Sequence, residues 1–271
     1  MDSDGGRSSW RASQREDVVT CCVCLCYFNI ADVPWHKLMI DRPNSGSDAL
    51  KSVPDRLGDL VTIAMVPRDI FAWSNKVLDR LIDTTSDGVR IIVFDTGASG
   101  CPREYMEKRC KEADVTLLRS RGIATSSQAR NKAIELVGTK YVAFVDNDTL
   151  VSDGWLEPLV KCAEDTGAWA VGPIICERLP EGTWLHGYDD ELEIRESPDG
   201  ERYYHDFHYN AHVKLADIRG KLKRMETPIV EFHAQLVRMD AYNELGGYDE
   251  NIVNMYDYGD FLLRVQAHGK K

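Results

Sequence analysis

Five short apolar runs, each bounded by polar turn residues, constrain the fold of this chain more than any other feature. They are VTIAMV (61–66), VRIIVFD (89–95), DVTLLRS (114–120), KYVAFVD (140–146) and WAVGPII (169–175). Near-continuous apolar runs of this length are typical of strands that are buried on both faces. The sequence therefore predicts a series of buried strands after residue 60.

Two segments between these runs have the apolar spacing of helices. The residues that form the stripes are Val77, Leu78, Leu81 and Ile82 in the first segment, and Ala129, Ala133, Ile134 and Val137, followed by Gly138 as a stop, in the second. Strands that alternate with helices indicate right-handed βαβ units. We therefore predict an α/β fold with a mostly parallel sheet flanked by helices.

Polar residues follow several of the predicted strands at their carboxyl ends, where ligands bind in sheets of this kind. These residues are Pro67 and Arg68, residues 95–99, Arg119 and Arg121, and the pair Asp146 and Asp148. The edge of the sheet at which these strands end is the predicted ligand site.

Asp146 and Asp148 stand one residue apart where an apolar strand gives way to a turn. Two such carboxylates can converge on one hard divalent cation. Mg²⁺ or Mn²⁺ held in this way bridges a diphosphate and neutralises the charge that develops when the diphosphate leaves. The alternative is that Asp146, Asn147 and Asp148 only cap the following turn.

The formal net charge of -11 argues against a nucleic-acid partner, because a phosphate backbone attracts a basic protein face. It is compatible with a nucleotide ligand, since a divalent ion held by carboxylates reverses the sign of the charge locally. We therefore expect a small nucleotide ligand and no nucleic acid.

The eight cysteines are unevenly placed along the chain. Cys21, Cys22, Cys24 and Cys26 form a cluster, whereas Cys101, Cys110, Cys162 and Cys176 are scattered. The scattered cysteines favour a reducing compartment, so we expect the cytoplasm or the cytosolic face of a membrane. The cluster is open to three interpretations, as metal ligands, as sites of acylation or as an apolar patch.

The apolar stretch 18–30 is shorter than the roughly 20 residues that span a bilayer. Peripheral contact is therefore the form of membrane association to consider.

The organisation of the sequence changes before the first strand of the regular series. Residues 1–47 are rich in Ser, Gly, Asp and Arg around the cysteine cluster and show no sustained period, so we predict a poorly ordered N-terminal extension there. Residues 48–271 are predicted to form one domain, with a nucleotide half at about 61–175 and an acceptor half at about 176–271.

The order of motifs from 61 to 265 resembles that of the family 2 glycosyltransferases, enzymes of the GT-A fold that use nucleotide-sugar donors. VTIAMVPRDIFAWSNKVLDRL is similar to the opening strand and helix of that family, and IIVFDTGAS is similar to its second strand. SSQARNKAIELVGTKYVAFVDNDTLVSDGWLEPLV resembles its central block, and VEFHAQLVRMDAYNELGGYDENIV resembles its acceptor-side block.

The resemblance implies roles for individual residues at the donor site. Asp95 would accept hydrogen bonds from the nucleotide base, and Arg130 would lie near the base or the diphosphate. Asp146 would contact the ribose, or the metal through water, while Asp148 would bind the metal directly. Pro67, at the end of the first strand, is grouped with these donor-binding residues. An alternative for Arg130 is a solvated helix residue.

The segment MYDYGDFLLRV departs from the family pattern Glu-Asp-x-Asp, in which an acidic residue removes the proton of the acceptor hydroxyl. Asp257 is our first candidate for this base and Asp260 our second, whereas Tyr258 is a poor base because its ordinary pKa is about 10. The alternative is that both aspartates only cap a helix that begins near Gly259. Family members usually continue with a further strand and a metal-binding histidine, so this chain looks truncated at its C-terminus.

The acceptor half contains several histidines without an assigned role. EIRESPDGERYYHDFHYNAH is predicted to form a hairpin or long loop around a Pro-Asp-Gly turn. His205, His208 and His212 have spacing that suits zinc, although a polar loop is the simpler account. His186 and His233 are each open to placement in the acceptor cleft or in the core.

Together these features predict an inverting glycosyltransferase that moves a sugar from a nucleotide-sugar donor, UDP-linked in the first instance, to an acceptor hydroxyl with Mn²⁺ or Mg²⁺. GDP and dTDP stay open as the nucleotide. One alternative is a non-catalytic relative that binds nucleotide-sugars. The other is a haloacid-dehalogenase-like phosphatase, in which Asp146 would be the nucleophile and Asp148 an acid.

Overall fold

The computed structural model describes residues 18–28, 57–68, 71–86, 88–96, 100–122, 124–177, 184–253 and 256–271. The strands are β1 (Val18–Phe28), β2 (Val61–Val66), β3 (Arg90–Asp95), β4 (Thr116–Arg119), β5 (Tyr141–Asp146), β6 (Leu150–Val151), β7 (Ala170–Glu177), β8 (Trp184–Leu185), β9 (Glu191–Glu196), β10 (Arg202–Phe207), β11 (Met225–Thr227) and β12 (Ala234–Arg238). The α-helices are α1 (Ser74–Thr84), α2 (Cys101–Glu112), α3 (Ser126–Ile134), α4 (Leu156–Thr166), α5 (Leu215–Ile218), α6 (Met239–Leu245) and α7 (Asp257–Ala267).

One large sheet organises the described residues, with the strand order β11-β1-β7-β12-β5-β2-β3-β4. The strands β4, β3, β2 and β5 pair in parallel, and β1 pairs in parallel with β7. The exceptions along this path are β12, which runs antiparallel between β5 and β7, and β11 at the edge. The predicted fold class, an α/β fold with a mostly parallel sheet flanked by helices, is confirmed.

The strand β1 places part of the N-terminal region in the sheet. Residues 18–28 pair with β7 in parallel and with β6 and β11 in the antiparallel sense. They fall within the segment 1–47, for which the sequence predicted a poorly ordered extension; the difference arises because the pairing partners of β1 lie more than 100 residues away and leave no local signal. Residues 1–17 and 29–47 lie outside the described residues.

Helices cover both faces of the sheet because side chains along a strand point alternately to opposite faces. On β2, Ile63 and Met65 belong to a core with α1, α2 and α4, whereas Ala64 and Val66 belong to a second core with α3, α6 and α7. All four side chains are 2% exposed or less. This arrangement explains the continuous apolar runs of the central strands.

The two predicted helical stripes face these cores. Val77, Leu78 and Leu81 of α1 are fully buried, and so are Ala129 and Ala133 of α3. The second helix ends at Ile134, before the predicted stop at Gly138. Among the described residues, we find no helix long and apolar enough to cross a membrane.

The carboxyl ends of β2 and β5 are joined by Asn147, the residue between the two aspartates. Its backbone N–H donates to the carbonyl of Val66 at 2.9 Å, and its side-chain oxygen accepts the N–H of Arg68 at 2.6 Å. Its side-chain amide also donates to Ser74 Oγ at the start of α1. The turn that carries the aspartates is therefore fixed to both neighbouring elements.

The predicted hairpin is formed by β9 and β10. The strands β9 and β10 pair in antiparallel register from Glu191 opposite Phe207 to Glu196 opposite Arg202. The turn between them is closed by hydrogen bonds between Ser197 and Glu201 and between Gly200 and Ser197, with Gly200 at a φ of 85°. Tyr258 of α7 donates a hydrogen bond to Asp206 of β10 at 3.0 Å, which connects the hairpin to the domain.

Candidate functional site

The two aspartates that end β5 are both withdrawn from solvent. Asp146 is 0% exposed and Asp148 is 3% exposed. The backbone N–H of Asp146 donates to the carbonyl of His233, just before β12, and its carbonyl accepts the N–H of Thr149. Burial raises the pKa of Asp146 well above its ordinary value, while the charge of Arg130 acts in the opposite direction. Two buried carboxylates therefore lie close together at the end of β5, where a cation would stabilise their ionised form.

Arg130 connects Asp146 to the start of α7. Its Nη2 atom lies 3.2 Å from Asp146 Oδ1, and its Nη1 atom contacts Asp257 Oδ2. The side chain of Arg130 is only 1% exposed, so the alternative of a solvated helix residue is wrong. Burial acts to lower the pKa of Arg130, but the charges of Asp257 and Asp146 raise it overall. The guanidinium is thus a fixed cation between two buried carboxylates.

The position of Arg130 follows from a capping box at the start of α3. The hydroxyl of Thr125 accepts the backbone N–H of Gln128 at 3.2 Å, and the side chain of Gln128 accepts the N–H of Thr125 at 3.0 Å. This reciprocal arrangement fixes the first turn of the helix. Ser127, in the same turn, directs its hydroxyl toward Asp257 Oδ2 at 3.2 Å.

Asp257 is the first residue of α7, two residues earlier than Gly259, where the sequence suggested a helix start. The chain enters the helix through Tyr256, which has the left-handed φ of 62° and no side-chain capping bond. Asp257 is 2% exposed, and its Oδ1 atom accepts no hydrogen bond from the described residues. The positive end of the helix favours a carboxylate at this position.

The other candidate base, Asp260, occupies a different environment. Its Oδ2 atom accepts a hydrogen bond from Arg264 Nε at 2.9 Å, one turn along α7. Arg264 in turn donates to the carbonyls of Leu245 and Gly247. Of the two candidates, Asp257 is the one that the structure connects to Asp146.

Tyr258 has the properties of a hydrogen-bond donor. Its side chain is 2% exposed and donates to Asp206. Burial, followed by the charges of Glu231 and Asp206, raises the pKa of its hydroxyl. The hydroxyl is therefore neutral at physiological pH and unsuited to accept a proton.

Asp95 and Pro67 lie at the same edge of the sheet as Asp146. Asp95, at the end of β3, accepts a hydrogen bond from Arg119 Nε at 2.9 Å at the end of β4. The carbonyl of Pro67 accepts the hydroxyl of Ser126 at 2.8 Å. In the register of the sheet, Val66 is opposite Asp146 and Asp95 is opposite Arg119. The structure thus brings the predicted donor-site residues to neighbouring strand ends.

Three histidines considered in the sequence analysis, and two acidic residues that it did not single out, lie beside this centre. His233 Nδ1 is 3.6 Å from Asp146 Oδ2, and burial lowers the pKa of His233 well below its ordinary value. His186 and the buried Glu231 adjoin His233, and Asp190 lies next to His208. The signal available in the sequence was the spacing of Glu231 and His233, two residues apart in EFH.

The carboxylates of Asp146 and Asp148 fit the oxygen ligands that Mg²⁺ and Mn²⁺ prefer. Asp146 Oδ2 is buried and accepts no hydrogen bond from the described residues. Since its Oδ1 atom is paired with Arg130, Asp146 offers one oxygen to a cation or to a water bound to it. The donor set at the end of β5 is therefore suited to a hard divalent ion.

A family model, two curated proteins and a solved structure are similar to this chain. The model of the family "Glycosyl transferase family 2" matches residues 74–246. Two curated relatives, the pre-mycofactocin glycosyltransferases of Mycobacterium tuberculosis strains CDC 1551/Oshkosh and ATCC 25618/H37Rv, are each 36% identical over 105 residues. That alignment covers 39% of this chain and 22% of each relative, so the chain matches about a fifth of their length.

Among solved structures, the mannosyltransferase PcManGT from Pyrobaculum calidifontis, in complex with GDP-Man and Mn²⁺, is similar with a TM-score of 0.49 and 16% sequence identity. The match covers 78% of this chain and 56% of that structure.

The family match rules against the phosphatase alternative. In addition, β5 follows β2, β3 and β4 along the chain, whereas in such phosphatases the aspartate motif lies on the first strand of the core. Since the family model matches well over half of its residues, the chain belongs to the family 2 glycosyltransferases.

Proposed function

We propose that this chain transfers a sugar, with inversion, from a nucleotide-sugar donor to an acceptor hydroxyl. The observation that carries the proposal is the buried connection from the Asp146–Asp148 turn through Arg130 to Asp257. It joins a carboxylate pair suited to a divalent ion with a separate acid at a helix N-terminus. A transferase of this kind needs both parts, one at the leaving diphosphate and one at the attacking hydroxyl.

On the donor side, Asp148 would hold Mn²⁺ or Mg²⁺ directly, and Asp146 would contact the ribose or a water on the ion. The ion would supply the positive charge that stabilises the departing nucleoside diphosphate. Asp95 would accept hydrogen bonds from the base. Because the Asp95 carboxylate is paired with Arg119, this would require that ion pair to open or the carboxylate to bond both groups. Pro67 would line the donor pocket from the end of β2.

On the acceptor side, Asp257 would accept the proton of the attacking hydroxyl at its Oδ1 atom. The Oδ2 atom is already held by Arg130 and Ser127, so the carboxylate keeps a fixed orientation. Arg130 would serve mainly to position Asp146 and Asp257, because both of its terminal nitrogens contact carboxylates. A direct contact of Arg130 with the diphosphate would require one of these pairs to open.

UDP is the first nucleotide to test, because it is the one that the resemblance of the sequence implies, and GDP and dTDP belong in the same experiment. The purified chain would be titrated calorimetrically with each nucleotide in Mn²⁺ and again in EDTA. We expect one nucleotide to bind only with the ion. Asp148→Asn should abolish this binding while the fold is retained, whereas unchanged binding would refute the role of Asp148.

A matched control is available five residues further along. Asp153→Asn is the same chemical change at a carboxylate whose side chain is 77% exposed and paired with Arg80. We expect this variant to bind nucleotide as the unchanged chain does. Equal loss in both variants would indicate a general effect of charge rather than a metal site.

A second candidate function, binding of nucleotide-sugars without transfer, is favoured by one observation. Asp257 is held by Arg130 and Ser127, and the neighbouring Tyr258 is a neutral donor to Asp206. A chain of this kind would bind the nucleotide and metal but fail to move sugar. Transfer of labelled sugar to any glycan or other hydroxyl acceptor would exclude it.

A further inference from the structure

We propose that His186, Glu231 and His233 bind one divalent transition-metal ion, with Zn²⁺ as the best match, at a site separate from the Asp146–Asp148 turn. His186 lies between β8 and β9, and Glu231 and His233 lie just before β12. This inference goes beyond the proposed function and uses three ligand residues that the donor site does not use, although Asp146 Oδ2 adjoins both sites.

The ligand atoms have the spacing of a metal site. The Nε2 atoms of His186 and of His233 each lie 3.8 Å from Glu231 Oε2. One ligand atom from each of the three residues can be chosen so that all lie within 4.8 Å of one another. With bonds of about 2.1 Å, the ligands of a tetrahedral zinc ion are about 3.4 Å apart. Small side-chain movements would therefore close the site around an ion.

The opposite nitrogen of each ring faces a carboxylate. His186 Nδ1 is hydrogen-bonded to Glu177, and His233 Nδ1 lies 3.6 Å from Asp146 Oδ2. Histidines that bind metals usually present their second ring nitrogen to a carboxylate or carbonyl, which fixes the tautomer and the direction of the ring. The bond to Glu177 holds the His186 ring with its Nε2 atom toward Glu231, and the His233 ring has the same orientation, with Nδ1 toward Asp146 and Nε2 toward Glu231.

Glu231 provides the second, independent observation. Its side chain is 7% exposed, and neither of its carboxylate oxygens accepts a hydrogen bond from the described residues. His208 Nδ1 approaches Glu231 Oε1 to 3.2 Å, but its hydrogen bond goes to Asp190 Oδ2. A buried carboxylate without hydrogen bonds is costly unless it is paired or bound to a metal. The environment of Glu231 is what a metal ligand would have in the absence of its ion.

The chemistry of the ligands selects the class of ion. Two imidazoles and one carboxylate form a set that suits Zn²⁺ and leaves a fourth position open. The all-oxygen set of Asp146 and Asp148 suits Mg²⁺ or Mn²⁺ instead. Glu231 also lines the pocket formed with Gly187, Asp190 and Thr227, so the three ligand residues adjoin a cavity. The two sites would select different ions although they share a boundary at Asp146.

The test uses the full chain carrying Asp148→Asn, which removes the ligand expected to bind an ion at the end of β5. After treatment with EDTA and its removal, the protein would be titrated with Zn²⁺ in competition with a chromogenic chelator. X-ray absorption at the zinc edge would report the ligands. We expect one equivalent of tightly bound Zn²⁺ and scattering from two imidazoles. The absence of stoichiometric binding, or a zinc spectrum without imidazole, would overturn the proposal.

His186→Gln is the informative variant because this side chain is 26% exposed, so we expect the variant to fold. We expect zinc affinity to fall by at least about tenfold, while circular dichroism and thermal unfolding in EDTA stay as they were. His268→Gln is the matched control, since the exposed His268 side chain contacts a backbone carbonyl, that of Arg264, through its Nδ1 atom. Unchanged affinity in His186→Gln, or equal loss in both variants, would contradict the site.

Discussion

The Nη2 atom of Arg130 lies 3.2 Å from Asp146 Oδ1, and neither side chain is more than 1% exposed. The same guanidinium contacts Asp257 through its other terminal nitrogen. Arginine suits this position because its planar fork can hold two carboxylates in a fixed relative orientation. The strand end that carries the predicted metal ligand and the helix start that carries the predicted base are therefore coupled through one cation.

Replacing Arg130 with Met should be severely destabilising. The change leaves Asp146 and Asp257 buried without their counter-charge, and loss of one partner of a buried ion pair costs about 3–5 kcal/mol. We expect a decrease of this size in the free energy of unfolding, measured by urea denaturation. Lys132→Met, on the same helix, removes an exposed pair with Glu135 and should cost less than about 1 kcal/mol. Similar losses in the two variants would show that the pairs of Arg130 contribute little.

Asp257→Asn should retain nucleotide binding and lose turnover. The amide cannot accept the proton of the acceptor hydroxyl, and removal of a general base typically lowers kcat by roughly 10²–10⁴-fold. The measurement is sugar transfer under saturating donor, together with calorimetric binding of the nucleotide and Mn²⁺. Asp260→Asn serves as the control, because its carboxylate is paired with Arg264. Full activity in Asp257→Asn with loss in Asp260→Asn would reverse the assignment.

Tyr258→Phe tests whether the hydroxyl next to the proposed base takes part in proton transfer. The change removes the hydrogen bond to Asp206 and leaves the ring in contact with Phe232, at 4.6 Å between ring centroids. We expect a stability loss of about 1 kcal/mol and a kcat within several-fold of the unchanged chain. A loss of activity beyond about 100-fold, with the fold intact, would mean that the hydroxyl contributes to the chemistry.

The central strands were predictable because burial on both faces demands apolar residues at every position. VTIAMV corresponds to β2 without error, and KYVAFVD is longer than β5 by one residue. The helix α2 carried no comparable signal. Its sequence CPREYMEKRCKE is charged throughout, and Met106 and Cys110 are the residues of this helix that we find in the core. A stripe of two apolar residues is too narrow to identify a helix by its period.

The site was predictable where its residues follow strands and much less so where they meet across the fold. Asp146 and Asp148 could be located because they interrupt an apolar run. The pairing of Arg130 with Asp257 joins residues 127 positions apart, and no local pattern encodes such a contact. Glu231 and Asp190 were missed for the same reason, because their significance depends on histidines brought close by the tertiary structure.

The last prediction concerns the pair of His208 and Asp190, whose side chains are hydrogen-bonded at 3.2 Å. This bond raises the pKa of His208 from 6.5 to about 9. A raised pKa stabilises the folded state fully below the unfolded value of 6.5, and the contribution disappears as the pH rises through about 9. At about 1.4 kcal/mol per pKa unit, the loss is at most about 3.5 kcal/mol.

We therefore expect the unchanged chain, in EDTA, to lose more stability between pH 6 and pH 9.5 than His208→Gln does, because the variant lacks the titrating ring. Urea denaturation at several pH values in this interval would measure the difference. His268→Gln should follow the unchanged chain, since its side chain is exposed and distant from Asp190 in sequence. Parallel stability curves for the unchanged chain and His208→Gln would mean that the Asp190 bond does not stabilise the charged histidine, because other groups titrating in this range are common to both proteins.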